Sequence, residues 1–262
     1  MRLEGKVALI TGANRGIGRG CALEMAKEGA AIAVNYRGHR EEAEEVASAV
    51  ESLGREALVV QADVSQRAQV EAMVERSIAY FGKIDFLINN AASSIRKPFV
   101  ELTVEDVEHT WGVSLWGPFH CSQLVAQRWV RDKHPGKIIM MSSIHSTIPF
   151  PTALAYNCAK AALNHMAATL AAELAPYRIN VNVIEPGWTD TPGERTFTEE
   201  KEIRKRARLL PWGRMATIED IGKAAVYLAS DDAEYVSGAV LRVDGALAIN
   251  FAVRTTSPAV DD

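Results

Sequence analysis

The sequence predicts an α/β protein with one doubly wound domain, in which a parallel sheet of seven strands is covered by helices on both faces. Short apolar runs rich in β-branched residues alternate with longer segments of helical period along the 262 residues. The short runs are almost continuously apolar, as strands buried on both faces must be. No Pro- or Ser-rich linker divides the chain, so residues 1–250 are expected to form one domain, followed by a polar, disordered tail at 251–262.

The elements are expected in a regular order. The candidate strands are Lys6–Ile10, Ala31–Tyr36, Glu56–Gln61, Ile84–Asn89, Lys137–Ser142, Arg178–Glu185 and Ala239–Val243. The clearest amphipathic helices are Arg40–Leu53, Val70–Tyr80, Leu124–Lys133, Ala155–Leu174 and Ile218–Ala229. Right-handed crossovers between parallel strands place such helices on both faces of the sheet. The polar segment Thr189–Trp212 interrupts this order; we expect a substrate lid there, the alternative being a solvated helical excursion.

The composition limits the partners and the compartment. The formal charge is −4, from 29 basic and 33 acidic residues, which argues against binding to nucleic acid or to an anionic membrane. Cys21, Cys121 and Cys158 follow no metal-ligand spacing and indicate a reducing compartment. No apolar run is long enough to span a membrane, and the first residues do not resemble a signal segment. We therefore expect a cytoplasmic protein with a small-molecule substrate and no metal site.

Three glycines follow the first strand and open the next helix. Gly12, Gly16 and Gly18 allow the backbone to approach a pyrophosphate closely, and the helix that begins there offers free N–H groups to the anion. The spacing G-x3-G-x-G differs from the better-known G-x-G-x-x-G. Its position after the first strand favours a dinucleotide site over simple turn punctuation.

The end of the second strand indicates which dinucleotide is bound. An NAD site usually has an acid there, on the ribose hydroxyls. This chain has Arg37 instead, while Glu41 and Glu42 belong to the next helix. Together with Arg15 in the glycine turn, Arg37 suits the 2′-phosphate of NADP(H). NAD(H) remains possible, and two solvated arginines are the alternative.

Three residues form a candidate catalytic group. Ser143 follows the fifth strand, at the edge where open α/β sheets bind ligands. Tyr156 and Lys160 are four residues apart and share one face of a helix. An ammonium beside a buried phenol favours ionisation, so we expect the pKa of Tyr156 to be lowered toward neutrality.

These motifs, in this order and together with Asn89-Asn90-Ala91 and Pro186-Gly187, resemble those of the short-chain dehydrogenase/reductase family over nearly all of the chain. The resemblance implies a Rossmann-type fold and an NAD(P)-dependent oxidoreductase acting on CH–OH groups. It implies that Tyr156 is the acid/base, that Lys160 binds the nicotinamide ribose, and that Ser143 orients the carbonyl. The cofactor-binding residues expected are Gly12, Asn14, Arg15, Gly16, Ile17, Gly18, Arg37, Asp63, Val64, Asn90, Tyr156, Lys160, Pro186, Gly187, Thr189 and Thr191.

Three positions depart from the family pattern. Ser114 stands where the family usually has an Asn that anchors a proton-relay water, so it is counted among the catalytic residues with its relay role in doubt. Ala92 and Ala246 stand where the family usually has Gly.

Two other function classes were weighed. A hydrolase built on Ser143 and His145 lacks the G-x-S-x-G elbow. A non-catalytic NADP sensor is supported by Ser114 but opposed by the intact Ser143, Tyr156 and Lys160.

The residues after the fifth strand suggest the substrate. His145, Pro149 and Pro151 resemble glucose 1-dehydrogenases, with Ser94, His145 and Trp188 as expected substrate contacts, although Ser94 stands where a sugar-binding carboxylate is expected. The alternative is a 3-oxoacyl-[acyl-carrier-protein] reductase. Such an enzyme would need basic residues near the cleft for its acidic carrier protein, and the run that could supply them is Lys201, Arg204, Lys205, Arg206 and Arg208. It would also need an apolar channel for its acyl substrate, and the candidate residues are Trp188, Phe197 and Trp212. The basic run also fits an ordinary solvated helix face.

The resemblance further implies a homotetramer. Helices corresponding to Pro118–Lys133 and Ala155–Leu174 would pack across one two-fold axis, and the region of the seventh strand across another. Small residues on the second of these helices permit close approach. They are Ala161, Ala162, Ala167, Ala168, Ala171 and Ala172.

Overall fold

The strands of the protein form one parallel sheet in the order β3-β2-β1-β4-β5-β6-β7. The computed structural model describes residues 1–196 and 200–249. The strands are β1 (Val7–Ile10), β2 (Ala31–Tyr36), β3 (Ala57–Gln61), β4 (Phe86–Asn89), β5 (Gly136–Met141), β6 (Ile179–Pro186) and β7 (Val240–Val243). The strand order reverses between β1 and β4, which opens a crevice at the carboxyl ends of these strands. The predicted fold class is confirmed.

Helices cover both faces of the sheet. They are α1 (Gly16–Lys27), α2 (Arg40–Ser52), α3 (Arg67–Phe81), α4 (Val104–Trp111), α5 (Gly117–Asp132), α6 (Leu154–Leu174), α7 (Glu200–Ala207) and α8 (Ile218–Ala229). Five residues of π-helix, Gly112–Trp116, join α4 to α5. None of the helices in the described part of the chain is long and apolar enough to span a membrane.

One predicted helix is longer in the structure, and one helix was not predicted, each for an identifiable reason. The helix predicted at Leu124–Lys133 is the second half of α5, whose first turn contains Pro118, a residue that this position tolerates. The sequence analysis missed α4. Its signal was a capping box, in which Thr103 accepts from the backbone of Asp106 while the Asp106 carboxylate accepts from the backbone of Thr103.

The core has one layer on each side of the sheet. On one side α1, α2 and α8 pack on residues such as Ala8 and Ile10, and on the other α3, α5 and α6 pack around Leu9. The contact of α1 with α8 brings their backbones together. A Cβ at Gly20 would lie 2.3 Å from the carbonyl oxygen of Ile218, so only glycine fits there. This contact fixes α1, whose first turn faces the crevice.

The two alanines that replace the usual glycines differ in conformation. Ala246, in the loop after β7, has a φ of +66° and therefore occupies the left-handed region. Ala92 is not among the residues with positive φ. The alanine therefore strains the backbone at Ala246 only. Phe197, Asn250 and the expected tail 251–262 lie outside the described residues.

Candidate functional site

A cleft of about 940 Å³ lies at the carboxyl ends of the strands. Its size is at the upper end of the range for small-molecule and cofactor sites. Most residues expected from the sequence line it: Gly12, Asn14, Arg15, Gly16, Ile17, Arg37, Asp63, Val64, Asn90, Ser94, Ser143, His145, Tyr156, Pro186, Gly187, Trp188, Thr189 and Thr191. Gly18, Ser114 and Lys160 are not part of its wall.

The glycine turn favours glycine through its backbone conformation at Gly12 and Gly16 and through close packing at Gly12 and Gly18. Gly12 and Gly16 have positive φ values of +61° and +55°. A Cβ at Gly18 would lie 2.3 Å from the carbonyl oxygen of Gly12, so Gly18 supports the turn from behind. α1 begins at Gly16 and directs its first N–H groups into the cleft. A tight turn of bare backbone beside an open cleft fits the pyrophosphate of a dinucleotide.

Asn90 joins the loop after β4 to this turn. Its amide nitrogen donates to the carbonyl oxygens of Thr11 and Gly12, at 2.9 and 3.0 Å. Its backbone N–H donates to the hydroxyl of Thr11 at 2.9 Å. The side-chain donors of Asn90 are thus used to hold the turn.

At the far end of the cleft two arginines face two acids. The guanidinium of Arg37 lies 4.0 Å from the carboxylate of Asp63, and that of Arg15 lies 4.0 Å from Glu42. Glu42 also accepts from the amide of Asn14 at 2.7 Å. The second strand carries no acid at its end, as expected, but the sequence analysis did not foresee that Glu42 reaches the glycine turn from α2. In the sequence, the only indication of this contact was the place of Glu42 in the first turn of α2.

Ser143, Tyr156 and Lys160 are brought together by β5 and α6. Ser143 follows β5, and its side chain interacts with that of Tyr156, which opposes the rise in the tyrosine's pKa. The Nζ atom of Lys160 lies 5.3 Å from the centre of the Tyr156 ring. It donates to the carbonyl oxygen of Met141, the last residue of β5, at 2.6 Å. The three residues of the expected catalytic group therefore lie together, with Lys160 buried behind the tyrosine.

The prediction that the pKa of Tyr156 is lowered is wrong when only the residues of this chain act on it. Burial raises the pKa of Tyr156 to about 12, against the opposing effect of the side-chain interaction with Ser143. Burial also lowers the pKa of Lys160 to about 7, so much of its charge is lost at neutral pH. The prediction rested on the attraction between a charged Lys160 and the Tyr156 phenolate. The effect of desolvation on the pKa values of both groups is larger than this attraction. The phenol consequently stays protonated at neutral pH.

Ser114 is bound to the loop that follows β4. It lies buried in the π-helical turn, donates to the carbonyl oxygen of Ser93 at 2.8 Å and accepts from its N–H at 2.9 Å. Both contacts hold the loop that follows β4. These contacts give Ser114 a positioning role for that loop, and its catalytic role stays a prediction.

A buried carboxylate behind the catalytic group was missed. Glu185, near the end of β6, is fully buried and accepts from Ser146, from the amide of Asn164 at 2.7 Å and from Arg242 at 3.0 Å. It connects the turn after Ser143, the helix that carries Tyr156, and β7. Nothing local in the sequence marks such a network, because its members come from four separate segments.

At the substrate end the cleft combines polar groups with an aromatic pair. His145 stacks on Phe150 with ring centres 4.1 Å apart and meets the edge of Tyr156 at 5.2 Å. The hydroxyl of Ser94 is buried and has no hydrogen-bond partner among the residues that the structure describes. Trp188 donates to the carboxylate of Glu194 at 2.8 Å.

Of the residues expected to line an apolar channel for an acyl substrate, Trp188 lines the cleft and Phe197 lies outside the described residues. Trp212 is 68% exposed and does not line the cleft, whose apolar residues in this region include Leu209, Leu210 and Leu247. Arg96, which the sequence analysis did not consider, also lines the cleft.

Comparisons with known proteins agree over nearly the whole chain. A family model described as enoyl-(acyl carrier protein) reductase matches residues 12–247. The chain is 36% identical over 248 residues to 3beta-hydroxysteroid dehydrogenase 1 of Eggerthella lenta, covering 94% of this chain and 95% of the relative. It is 35% identical over 251 residues to an L-rhamnose 1-dehydrogenase (NAD(P)(+)) of Sphingomonas sp., covering 95% and 98%. A solved short-chain dehydrogenase/reductase from Serratia marcescens superposes with a TM-score of 0.87 at 32% identity, over 95% of this chain and 100% of that chain.

We expect the free energy of unfolding to rise as the pH is raised from about 7 to about 8.5. Because the pKa of Lys160 is lowered from 10.5 to about 7 on folding, the unfolded chain in this range holds a proton that the folded protein has released. The rise due to this lysine is about 1–2 kcal/mol and is absent in Lys160→Met. Urea unfolding at several pH values measures it.

The exposed Lys223→Met variant serves as the control and should keep the pH dependence of the wild type. The buried thiols Cys21 and Cys121, whose pKa burial raises from 9.0 to about 12, begin to lower the free energy of unfolding as the pH approaches 9, and they do so equally in the wild type and in Lys160→Met. An unchanged slope in Lys160→Met contradicts the assignment.

Proposed function

The chain belongs to the short-chain dehydrogenase/reductase family and is an NAD(P)-dependent oxidoreductase; from this premise we propose that it oxidises a small polyhydroxylated substrate, with an aldose such as glucose as the first candidate. NAD(P), when bound in the cleft, accepts or supplies the hydride. The residues of the chain bind and orient both partners and move one proton.

We assign the proton to the hydroxyl of Tyr156. Ser143, whose side chain interacts with that of Tyr156, holds the oxygen of the reacting carbon beside the phenol. Because burial raises the pKa of Tyr156 to about 12, the phenol is protonated at neutral pH and holds the proton that reduction requires. In the direction of oxidation Tyr156 must first release its proton, so that direction is favoured by higher pH. Lys160 positions the tyrosine through its bond to Met141.

The observation that carries the sugar proposal is the orientation of His145. Asn157 donates through its amide nitrogen to the carbonyl of Phe150, which leaves its amide oxygen toward the imidazole, 2.7 Å from Nδ1. Nδ1 therefore donates. Burial lowers the pKa of His145 despite the bond to Asn157, so the ring is neutral at pH 7 and Nε2 is an acceptor. An imidazole acceptor and the unpartnered Ser94 hydroxyl suit a substrate with several hydroxyl groups.

A second candidate is reduction of a 3-oxoacyl group on a carrier protein. Leu209 and Leu210 give the cleft an apolar wall, and Arg206 extends the basic surface to its rim. Of the remaining basic run, Lys201 and Lys205 belong to α7, while the side chain of Arg204 lies outside the described part of the structure. Arg206 is already paired with Glu202 at 2.7 Å, which weakens its case as a carrier-protein contact.

We expect NADP-linked oxidation of aldoses such as glucose or L-rhamnose, with little reduction of an acetoacetyl thioester.

Tyr156→Phe should lower kcat by about 10²–10⁴-fold, because it removes the acid/base hydroxyl, and leave NADPH binding intact. Tyr177→Phe, on an exposed tyrosine remote from the cleft, is the control. Steady-state kinetics and NADPH fluorescence titration measure both. Efficient thioester reduction without aldose oxidation favours the second candidate, and full activity of Tyr156→Phe refutes the mechanism.

We propose that NADP(H) is preferred, with NAD(H) accepted less well. Support comes from the pair Arg15 and Arg37 and from the start of α2 just beyond Arg37, which adds N–H groups to the same corner of the cleft. Both guanidinium groups are mostly exposed on the cleft side, where their paired acids at 4.0 Å orient them without enclosing them.

Arg37→Asp should therefore move the preference toward NAD. Losing one charge-assisted hydrogen bond to the 2′-phosphate costs about 1.5–3 kcal/mol, or roughly 10- to 150-fold in kcat/KM with NADPH. Arg40→Asp is a matched control, since Arg40 is exposed, paired with Glu44 and not part of the cleft wall. The ratio of kcat/KM for the two cofactors is the measurement; a wild type that prefers NAD refutes the proposal.

We propose that residues 1–250 act as one domain with 189–212 as its lid, in a cytoplasmic protein. Thr191 lies over the glycine turn, its Cγ2 atom 3.5 Å from where a Cβ of Gly16 would be, and Leu209 and Leu210 close the other side of the cleft. Cys21, Cys121 and Cys158 are all free thiols, which suits a reducing compartment.

We propose a homotetramer. β7 is an edge strand with Val240 half exposed, and Tyr235 beside it is fully exposed. Of the six alanines expected at the helix contact, Ala167 and Ala171 pack into the chain's own core, whereas four remain outward: Ala161, Ala162, Ala168 and Ala172. This outward row supports close approach of a second copy of α6.

Light scattering at micromolar concentration should give the mass of four 28.6 kDa chains. Ala168→Arg should reduce that mass, because a long charged side chain separates the two helices. Ala79→Arg, at an exposed alanine of α3, should not. A monomeric wild type refutes the assembly.

A further inference from the structure

Resting on the proposed function, we propose that Arg96 binds a carboxylate of the substrate, so that among small polyhydroxylated substrates those that carry a carboxylate are preferred to their neutral counterparts. Arg96 lies in the loop after β4 and lines the cleft together with Ser143, Tyr156 and His145. The glycine turn and Arg15, which suit the cofactor phosphates, lie at the opposite end of the cleft.

The loop is held on both sides of Arg96. Before it, Ser93 is bound at both backbone groups by the buried Ser114, and the N–H of Ile95 donates to the hydroxyl of Thr110. After it, the N–H of Lys97 donates to the carbonyl of Thr152 at 2.9 Å. These anchors fix the backbone at Arg96, so the position of its side chain at the cleft is set by the fold.

The neighbouring cation is directed elsewhere. The Nζ atom of Lys97 lies 2.6 Å from the carboxylate of Asp106, which also caps the start of α4. Lys97 does not line the cleft. Two adjacent cations thus have different environments, and the pair provides a built-in control.

The charge of Arg96 contributes to the pKa shifts of His145 and Tyr156. Burial is the main cause that lowers the pKa of His145, and Arg96 acts in the same direction. For Tyr156, whose pKa burial raises to about 12, Arg96 opposes the rise while the Glu194 charge adds to it. Arg96 and Glu194, which is paired with Trp188, line the same cleft and carry opposite charges. A substrate anion is attracted toward Arg96 and repelled from Glu194.

The chemistry of the guanidinium specifies the ligand. Its planar N–H groups match the two oxygens of a carboxylate, and the resulting bidentate pair fixes orientation as well as affinity. A neutral sugar would be better served by a protein carboxylate, which accepts from vicinal hydroxyls, and the position expected to supply one is Ser94. With a serine hydroxyl and an arginine at this end, the site complements a substrate that carries both hydroxyl groups and a carboxylate.

The test compares acids with their neutral amides, which differ in charge but hardly in size. D-gluconate, L-rhamnonate and 3-hydroxybutyrate are each paired with the corresponding amide in NADP-linked assays. For the wild type we expect kcat/KM to favour the acid by at least about tenfold. Arg96→Gln should lower this ratio about 10- to 100-fold, mainly through KM of the acid, with the amides unaffected. Arg96→Lys should restore part of it, and Lys97→Gln should leave it unchanged.

Equal kinetics for acid and amide in the wild type, an equal effect of Arg96→Gln on both, or the same effect from Lys97→Gln overturns the proposal while leaving the oxidoreductase assignment intact. Absence of any NADP-linked turnover of alcohols or carbonyls would instead refute the proposed function. For a pair that is not turned over, the rise in Tm of the NADPH complex with acid and with amide is compared, and no difference between them counts against Arg96.

Discussion

The hydrogen bond from the buried Lys160 to the carbonyl of Met141 ties α6 to the end of β5, and the arrangement of the candidate active site depends on it. β5 is held between β4 and β6, so Ser143 has a defined position at the edge of the sheet. α6 carries Tyr156 one turn before Lys160. A fixed distance between strand end and helix therefore becomes a fixed distance between the two hydroxyl groups. Ser142 strengthens the same junction by donating to the carbonyl of Lys160.

The same junction explains the unusual ionisation of the site. The lysine reaches the Met141 carbonyl only by leaving solvent, and burial then lowers its pKa while it raises that of Tyr156. Both groups tend toward their neutral forms, in which a phenol can give a proton to a carbonyl oxygen. Behind them, the buried Glu185 connects the turn after Ser143 to α6 and β7. A buried carboxylate needs several donors, and satisfying it holds these elements in one arrangement.

The ends of the cleft divide the work between backbone and side chains. At the cofactor end, glycines expose the backbone of the turn and Asn90 braces it from β4. At the substrate end, side chains from three loops converge: Arg96, His145 and Trp188. The first arrangement suits a ligand common to a whole family of proteins, since backbone groups do not vary with sequence. The second can vary loop by loop, which is how related folds come to act on sugars or steroids.

Much of this protein was determined by the sequence alone. Continuous apolar runs and helical periods predicted the sheet and most helices, because burial on two faces leaves a direct imprint on composition. The glycine turn, Ser143 and the Tyr156–Lys160 pair were also predictable, since each needs a fixed local spacing. Only the tertiary structure decided the ionisation of Tyr156, the role of Ser114, the reach of Glu42 and the presence of Arg96 in the cleft. These four features depend on burial and on contacts between segments that are distant in the chain. The spacing of residues within one segment predicts neither the desolvation of a side chain nor the contact between two loops.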